Sequence, residues 1–264
     1  MKQIVIILSL LFLLVLNVNV FALGNLGTPT AELETGQLSV GGDYTYTEME
    51  LDVGNMTYFH SIDGWTTTAF EFDKVKTNLY YATFKYGLTD NWELFGRLGA
   101  SDIEFKSRWP QDSPTWIKRD FDSDFFWGVG TKYTFYKQDK VSWGAAVQMS
   151  MVDTTSVYFR SSDSTKQTLD LSFYDLLIAV GPTVDMGGWK LYGGPFFYML
   201  DGDADMFETW PAGWWKGSSD VEEDSNFGGY VGAAIPLAQD AELTFEVGSI
   251  SSGISAGLGL NVKF

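Results

Sequence analysis

The sequence predicts an all-β fold, a transmembrane antiparallel up-and-down β-barrel of about ten strands, with eight or twelve as alternatives. First, apolar residues recur at every second position after residue 23, and helical spacing is not sustained. Second, the alternating segments are roughly ten to fifteen residues long, about twice a usual soluble strand of ~5–6 residues and long enough to cross a bilayer. Third, short and long connections alternate along the chain, as an up-and-down order of strands requires.

The N-terminus is predicted to be a cleaved secretory signal peptide over residues 1–22. Lys2 supplies a positive start, Ile4–Leu16 is almost wholly apolar, and Val20-Phe21-Ala22 places small residues before a cleavage site at Leu23. A permanent anchor is the alternative, but the apolar run is shorter than the ~20 residues that a spanning helix needs. We therefore expect residues 23–264 to be exported and to form one barrel domain.

Ten segments of the mature chain alternate with a period of two. The predicted strands, in order, lie at 36–47, 76–87, 92–104, 125–135, 141–151, 170–184, 189–200, 227–237, 242–247 and 254–264. The assignment of faces is weakest in 170–184, because Asp175 interrupts an apolar run. The last strand ends on Phe264, and pairing with the first strand would leave no edge exposed at this point.

The predicted connections are of two kinds. Tight turns are expected near 88–91, 137–140, 185–188 and 238–240, with a short hairpin near 251–253. Longer polar loops are expected near 48–75, 106–124, 153–169 and 201–224. With an even number of strands, both termini lie on the side of the short turns.

Composition excludes several classes of function. The chain has 34 acidic against 17 basic residues, a net charge of −17, which argues against a nucleic-acid partner. It has no Cys, which excludes disulfides, thiolate metal sites and lipid attachment after the signal. His60 is the only histidine, and the adjacent residues Ser61 and Asp63 do not normally form a catalytic relay with it. We expect no enzymatic activity and no cofactor.

The predicted inward faces carry charges of both signs. They are Lys85, Glu93, Arg97, Lys132, Lys190, Glu242 and Glu246. These groups would either line a polar conduit or pair with each other in a filled lumen. Because open channels belong to barrels of ~16–18 strands, a mostly occluded lumen is favoured over a narrow pore.

Two features of the 201–224 segment are candidate binding elements. Asp201, Asp203 and Asp205 place carboxylates at every second position, and hard cations prefer such oxygen ligands. An EF-hand loop, however, requires Gly at the sixth position and Glu at the twelfth, where this chain has Met206 and Ala212. A solvated acidic loop is therefore favoured over a metal site. The tryptophans fit an interfacial belt better than an exposed binding site, and this holds least for the adjacent pair. They are Trp210, Trp214 and Trp215 in this segment and Trp109 and Trp116 in the 106–124 loop.

These features together resemble bacterial outer-membrane β-barrel proteins of the small porin-like or opacity-type kind. The resemblance rests on the signal ending in Val20-Phe21-Ala22, on alternation over the mature chain, and on a terminal aromatic. The stretch from Tyr86 to Leu94 is similar to hairpin turns of such barrels. The resemblance implies that the last alternating residues are the signal read by the barrel-assembly machinery. These are Leu258, Leu260, Val262 and Phe264.

The resemblance also sets the functional expectation. It implies a cell-outer-membrane location in contact with lipid, and a porin-like passive channel or a structural barrel with acidic external loops. The alternative is an adhesion or recognition protein that binds a glycan or a protein through loops 106–124 and 201–224. The oligomeric state does not follow from the sequence.

Overall fold

The computed structural model describes residues 20–21, 24–109, 113–121, 123–160, 164–222 and 227–264. Within these ranges all regular secondary structure is β-strand. No helix among them is long and apolar enough to span a membrane. Nearly all of the predicted signal peptide, residues 1–19 and 22, lies outside the described residues, as does Leu23.

Ten antiparallel strands form a closed barrel, which confirms the predicted fold class and strand number. Their bounds are β1 Leu38–Met49, β2 Val75–Thr89, β3 Trp92–Trp109, β4 Asp124–Gln138, β5 Val141–Arg160, β6 Thr165–Asp185, β7 Lys190–Trp210, β8 Phe227–Pro236, β9 Ala241–Ile250 and β10 Gly253–Lys263. Each strand pairs with its neighbours in sequence.

The barrel closes between its last strand and its first. Lys263 pairs with Ser39, and the Phe264 N–H donates to the Leu38 carbonyl at 2.9 Å. At the other end of the strands, the Glu50 N–H donates to the Ser252 carbonyl, also at 2.9 Å. The contacts at the two ends share one register, so β10 and β1 run side by side over their full length.

The two ends of the barrel differ. At the turn end, tight turns join β2 to β3, β4 to β5, β6 to β7 and β8 to β9. At the loop end, shorter strands extend the wall. They are Asp52–Val53, Met56–His60, Gly64–Thr68, Glu71–Phe72, Ser113–Asp120 and Gly213–Glu222, and a two-residue strand, Val20–Phe21, runs parallel to β10.

The outer surface carries the pattern of a membrane barrel. Apolar side chains such as Leu98, Val147, Ile178 and Leu258 are exposed on the outer face, where lipid would contact them. Exposed aromatic residues flank this band on both sides. At the turn end they are Tyr86, Trp92, Tyr133, Phe135, Trp143 and Phe264, and towards the loop end they are Tyr80, Phe125, Tyr174 and Phe227. Such girdles mark the two membrane interfaces.

Beyond the second girdle the polarity of the two faces is reversed. On β7 the outward residues change from Phe197 and Met199 to Asp201, Asp203 and Asp205. The inward positions that alternate with these aspartates are occupied by glycine, alanine and Met206, so this part of the sheet buries its small and apolar face inside the barrel. This is the pattern of a sheet in water.

The strands therefore continue through most of the segments predicted as loops, which corrects that expectation for 106–124, 153–169 and 201–224. In the last of these, β7 runs to Trp210 and pairs with Gly213–Glu222 around a two-residue turn. The physical reason is that the period of two persists after the polarity of the faces changes, and the backbone follows the period.

The β6–β7 ladder is interrupted once within the membrane band. The pairs Ala179–Phe196 and Thr183–Tyr192 flank the gap. Pro182 and Pro195 lie inside it, and neither has an N–H to donate to the ladder. The two backbones still lie close together, because a Cβ on Gly181 would overlap the Gly193 carbonyl oxygen.

Candidate functional site

The lumen of the turn-end half is filled by the chain itself. Residues 24–33, which precede β1, run inside the barrel wall and are mostly buried. We call them the inner segment. Leu26, Thr28 and Leu33 are each at most 3% exposed. A segment without regular structure is stable in this position only if the wall satisfies its backbone polar groups.

One end of the inner segment is held at mid-depth of the barrel. The two carboxylate oxygens of Glu246 accept hydrogen bonds from the Leu26 and Gly27 N–H groups, both at 2.8 Å. The Arg97 guanidinium donates to the Asn25 carbonyl and, at 2.8 Å, to Gln148. Charged groups of the wall thus bind backbone groups that would otherwise be unsatisfied in the lumen.

The other end of the inner segment is held near the tight turns. The Glu32 N–H donates to Glu93 at 3.1 Å, and the Glu32 carboxylate lies 2.5 Å from the Lys190 ammonium. Lys190 also lies 3.2 Å from the Glu242 carboxylate. After the inner segment, the Thr35 N–H and hydroxyl both donate to Asp90, which closes the turn end.

The seven charges predicted to line the lumen all lie on inward positions of the wall. Glu93 is 0% and Lys132 2% exposed, and Arg97, Glu242 and Glu246 are also buried. Lys85 and Lys190 are half-buried nearer the turn end. Five of the seven contact the inner segment: Glu93, Arg97, Lys190 and Glu246 through the bonds above, and Lys132 next to Gly27. A cavity of about 10 Å³, room for one water molecule, lies between the inner segment and the wall beside Lys85, Arg97 and Lys132.

The loop-end half of the lumen is packed with apolar side chains. Its members include Ile103, Phe105, Val152, Leu169, Leu200 and Met206. The buried ionisable side chains at this level include Asp175, opposite Leu200 in the ladder, and Arg119, which donates to Ser107 and Gln167. Burial lowers the pKa of Arg119 to about 10, which leaves the guanidinium charged at neutral pH.

The outer face of the extended sheet carries rows of carboxylates just beyond the loop-end girdle. In the ladder, Asp205 lies opposite Asp170 of β6, and Asp203 lies opposite Asp220. On β5, β6, β7 and Gly213–Glu222 these carboxylates are Asp153, Asp170, Asp201, Asp203, Asp205, Asp220 and Glu222. No group of three or more His, Asp or Glu side chains in the described part of the chain is arranged to hold a metal ion.

An aromatic row lies beyond these carboxylates, further from the membrane band. It crosses four adjacent strands, and each member lies directly opposite the next in the ladder. In order, the members are Phe207 of β7, Lys216, Phe59 and Trp65. Trp214 contacts this row, with ring centroids 5.7 Å from Phe59 and 6.2 Å from Phe207. The sequence did not single out Phe59, Trp65 or Phe207, because the row forms only when four strands are aligned.

The three predicted binding tryptophans do not share one face. Trp214 is exposed on the outer face, whereas the adjacent Trp215 is buried inside the barrel, as alternation in a strand requires. Trp210 stacks on the His60 ring at 5.2 Å. Trp116, of the other predicted loop, lies under the Arg108 guanidinium at 4.4 Å. All lie in the extension beyond the acidic rows, away from the girdles.

His60 is not arranged as a catalytic base for Ser61. Its Nδ1 lies 3.2 Å from the Asp63 carboxylate and accepts weak hydrogen bonds from the Ile62 and Asp63 N–H groups. The Ser61 hydroxyl accepts a hydrogen bond from the Trp214 N–H at 3.1 Å. No hydrogen bond among the described residues joins Ser61 to His60, which a nucleophile and its base require.

The residues predicted as the assembly signal lie on the outer face of the last strand. Leu258 and Leu260 are exposed in the apolar band, Val262 is half-buried, and Phe264 is 75% exposed at the turn-end girdle. The final strand thus presents one apolar face that ends in an aromatic ring.

The closed ten-strand barrel, the apolar band and the two aromatic girdles define a β-barrel of the outer-membrane type. The outer membrane protein OprG of Pseudomonas aeruginosa is similar in fold, with a TM-score of 0.53 and 11% identity over 88% of this chain and 97% of that one. The outer membrane protease OmpT of Escherichia coli has a TM-score of 0.51 and 11% identity over 86% of this chain and 97% of that one. No protein-family model and no curated protein sequence matches the chain.

Proposed function

We propose that the protein is a surface-recognition barrel of the outer membrane, which does not conduct in its folded state and acts through its extension at the loop end. The observation that carries this proposal is the filled lumen. The inner segment occupies the turn-end half, and apolar side chains occupy the loop-end half. The exposed surface that remains for a ligand is the outer face of the extended sheet.

The proposal includes the orientation and the export of the chain. In outer-membrane barrels the short turns and both termini are periplasmic, and the long hairpins are external. The extended sheet would then face the medium. Residues 1–22 would be removed during export, and Phe264 would guide the barrel-assembly machinery.

A passive channel is the second candidate, and one observation favours it. The inner segment is held by hydrogen bonds and ion pairs, which water can replace, rather than by apolar packing alone. Withdrawal of residues 24–33 would expose the charged wall of the turn-end half. Conduction would further require the apolar core of the loop-end half to open.

Planar-bilayer conductance of the refolded mature protein separates the two candidates. Heat-modifiable gel mobility first shows that the barrel has folded and inserted. We expect no discrete conductance steps from the intact protein or from a variant that lacks residues 24–33. Ion-selective steps from the intact protein would overturn the proposal, and steps from the deletion variant alone would favour a gated channel.

The recognition role is tested by binding in lipid nanodiscs. The probes are a neutral oligosaccharide, a sulfated polysaccharide, an arginine-rich peptide and an acidic peptide. We expect one class of probe to bind, and to lose binding when Met56–Thr68 is replaced by a short glycine-containing turn. The recognition role would be contradicted if none of the four probes bound, or if binding were unchanged when this hairpin is replaced.

A further inference from the structure

A groove of about 470 Å³ lies on the outer face of the extension, between the Met56–Thr68 hairpin and the loop end of β7. Its lining includes Thr57, Trp65, Asp170, Asp205, Phe207 and Lys216. The volume falls in the range of small-ligand pockets, about 300–1,000 Å³. The groove is open on one side, so it suits one or a few side chains of a larger partner.

Two aromatic side chains, Trp65 and Phe207, line the groove. Trp65 is 70% and Phe207 44% exposed. The Trp65 ring meets the Phe59 ring edge-on at 5.4 Å, and Phe59 belongs to the strand that pairs with Gly213–Glu222. Large aromatic residues on a water-facing sheet mark an interaction surface, and rigid ones bind with little loss of conformational entropy.

The charges in the groove are available to a ligand. Among the described residues, neither the Asp205 carboxylate nor the Lys216 ammonium has a hydrogen bond or an ion pair. Asp170, opposite Asp205, accepts a hydrogen bond from Thr155 at 2.7 Å and has further acceptor capacity. The groove therefore presents two carboxylates beside its two aromatic side chains.

Charge complementarity identifies the occupant. The carboxylate rows contain seven acidic side chains, of which Asp170 and Asp205 line the groove, and Lys166 and Lys216 are the basic groups on the outer faces of β6, β7 and Gly213–Glu222. An anionic ligand would be repelled by this surface, and a cationic one would be concentrated at it.

We propose that this groove binds an arginine-bearing segment of a basic polypeptide, an inference that rests on the proposed recognition function. A guanidinium group stacks on an aromatic face and donates paired hydrogen bonds to a carboxylate. Trp65 and Phe207 supply the faces, and Asp170 and Asp205 supply the carboxylates. Lysine fits less well, because an ammonium group lacks the planar fork and the stacking surface.

The test measures binding of three fluorescent peptides to the refolded mature protein in nanodiscs. They have the same length and carry arginine, lysine or aspartate at the same positions. We expect the arginine peptide to bind at least several-fold more tightly than the lysine peptide, and the aspartate peptide not to bind. Affinity should fall as salt is raised from about 50 to 500 mM, because screening weakens exposed charge pairs.

Substitutions that remove an attractive or a repulsive group of the groove sharpen the test. Asp205→Asn and Trp65→Ala should each weaken arginine-peptide binding about five- to tenfold, whereas Lys216→Gln should strengthen it, because it removes the repulsive charge. Matched controls are Asp240→Asn and Trp92→Ala, an exposed acid and an exposed aromatic at the turn end. Both should leave the affinity unchanged, and heat-modifiable mobility shows that every variant has folded.

The possible results separate the inference from the proposed function. Binding of a neutral oligosaccharide that depends on Trp65 but not on salt or Asp205 would overturn the inference and keep the recognition role. Weaker binding after Lys216→Gln, or equal affinity for the arginine and lysine peptides, would also overturn it. Binding of no probe at the extension, together with conductance of the intact barrel, would overturn both.

Discussion

The Lys190 ammonium lies 2.5 Å from the Glu32 carboxylate and joins the first residue of β7 to the segment that fills the lumen. The Glu32 side chain is 6% exposed and Lys190 is 33% exposed, so the pair is partly shielded from solvent. A carboxylate in such a position is stable as an ion only with a cation beside it. The pair therefore couples the position of the inner segment to the barrel wall.

Lys190→Met is expected to destabilise the barrel by about 1–2 kcal/mol. Loss of one partner of a fully buried pair costs about 3–5 kcal/mol, and the exposed third of Lys190 reduces this figure. The measurement is the urea midpoint of unfolding, followed by tryptophan fluorescence in detergent micelles. Lys140→Met, at an exposed turn, is the matched control. Equal midpoints for the two variants would show that the pair does not hold the inner segment.

Glu246→Gln is expected to loosen the inner segment, because one of its two carboxylate acceptors becomes an NH₂ group that faces a backbone donor. The chain has no Cys, so a single thiol reports on access to the lumen. In a Thr28→Cys background, a maleimide should react about tenfold faster after Glu246→Gln, since a charged hydrogen bond contributes about 1.5–3 kcal/mol. Thr28 is 1% exposed in the intact barrel.

The control for this measurement is Asn91→Cys, which places a thiol at an exposed position of the turn end. This thiol should react rapidly, and at the same rate with and without the Glu246→Gln substitution, since it does not contact the lumen. Slow labelling of the Thr28→Cys thiol in both backgrounds would show that the other contacts of the inner segment suffice to hold it.

The anchor between Thr35 and Asp90 should persist in mild acid. Hydrogen bonds from the Thr35 hydroxyl and backbone hold the pKa of Asp90 below its usual value. Because the folded-state pKa is the lower one, the contribution of this anchor is complete above the ordinary carboxyl pKa of about 3.9 and is lost as pH falls through the folded value. Nuclear magnetic resonance of the Thr35 amide, titrated from neutral pH downward, measures this transition. Thr35→Val should move it upward, towards the ordinary carboxyl value, and an unchanged midpoint would contradict the assignment.

The period of two was sufficient to predict the barrel but not the extent of its strands. Side chains from Phe125 to Phe135 alternate between lipid and lumen, and this alternation fixes a membrane strand. In β7 the alternation continues from Met199 into Asp201 with the polar residues on the outside. A prediction that requires apolar residues on the outer face places the end of the strand at Asp201. The backbone instead continues as a sheet in water.

The inner segment could not be predicted from local sequence. Residues 24–33 include two glycines and Pro29, alternate poorly and are mostly polar or small, which is also typical of an exposed leader. Their burial depends on partners more than fifty residues away, such as Tyr81, Arg97 and Glu246. The charges on the wall were visible in the sequence, but the backbone groups that they bind were not.

Leu258→Arg is expected to destabilise the inserted barrel by about 2–4 kcal/mol, the cost of a charge on the lipid face near the middle of the bilayer. Leu258 lies on the outer face near the centre of β10 and is 41% exposed in the apolar band. Ser172→Arg, on the outer face of β6 beyond the girdle, is the control and should be tolerated. The measurement is the unfolding midpoint in lipid vesicles, and an unchanged midpoint for Leu258→Arg would place this side chain outside the membrane band.

Phe264→Ala is expected to lower the yield of inserted barrel without reducing export of the chain. The Phe264 ring is exposed at the turn-end girdle, and its N–H donates to the Leu38 carbonyl where the barrel closes. The backbone bond survives the substitution, so a loss of yield would report on the ring rather than on closure. The measurement is heat-modifiable barrel in the membrane fraction, compared with total exported protein. Phe135→Ala removes another exposed ring from the same girdle and should insert normally. Equal yields for the two variants would show that the terminal ring is one girdle residue among others and not a signal for assembly.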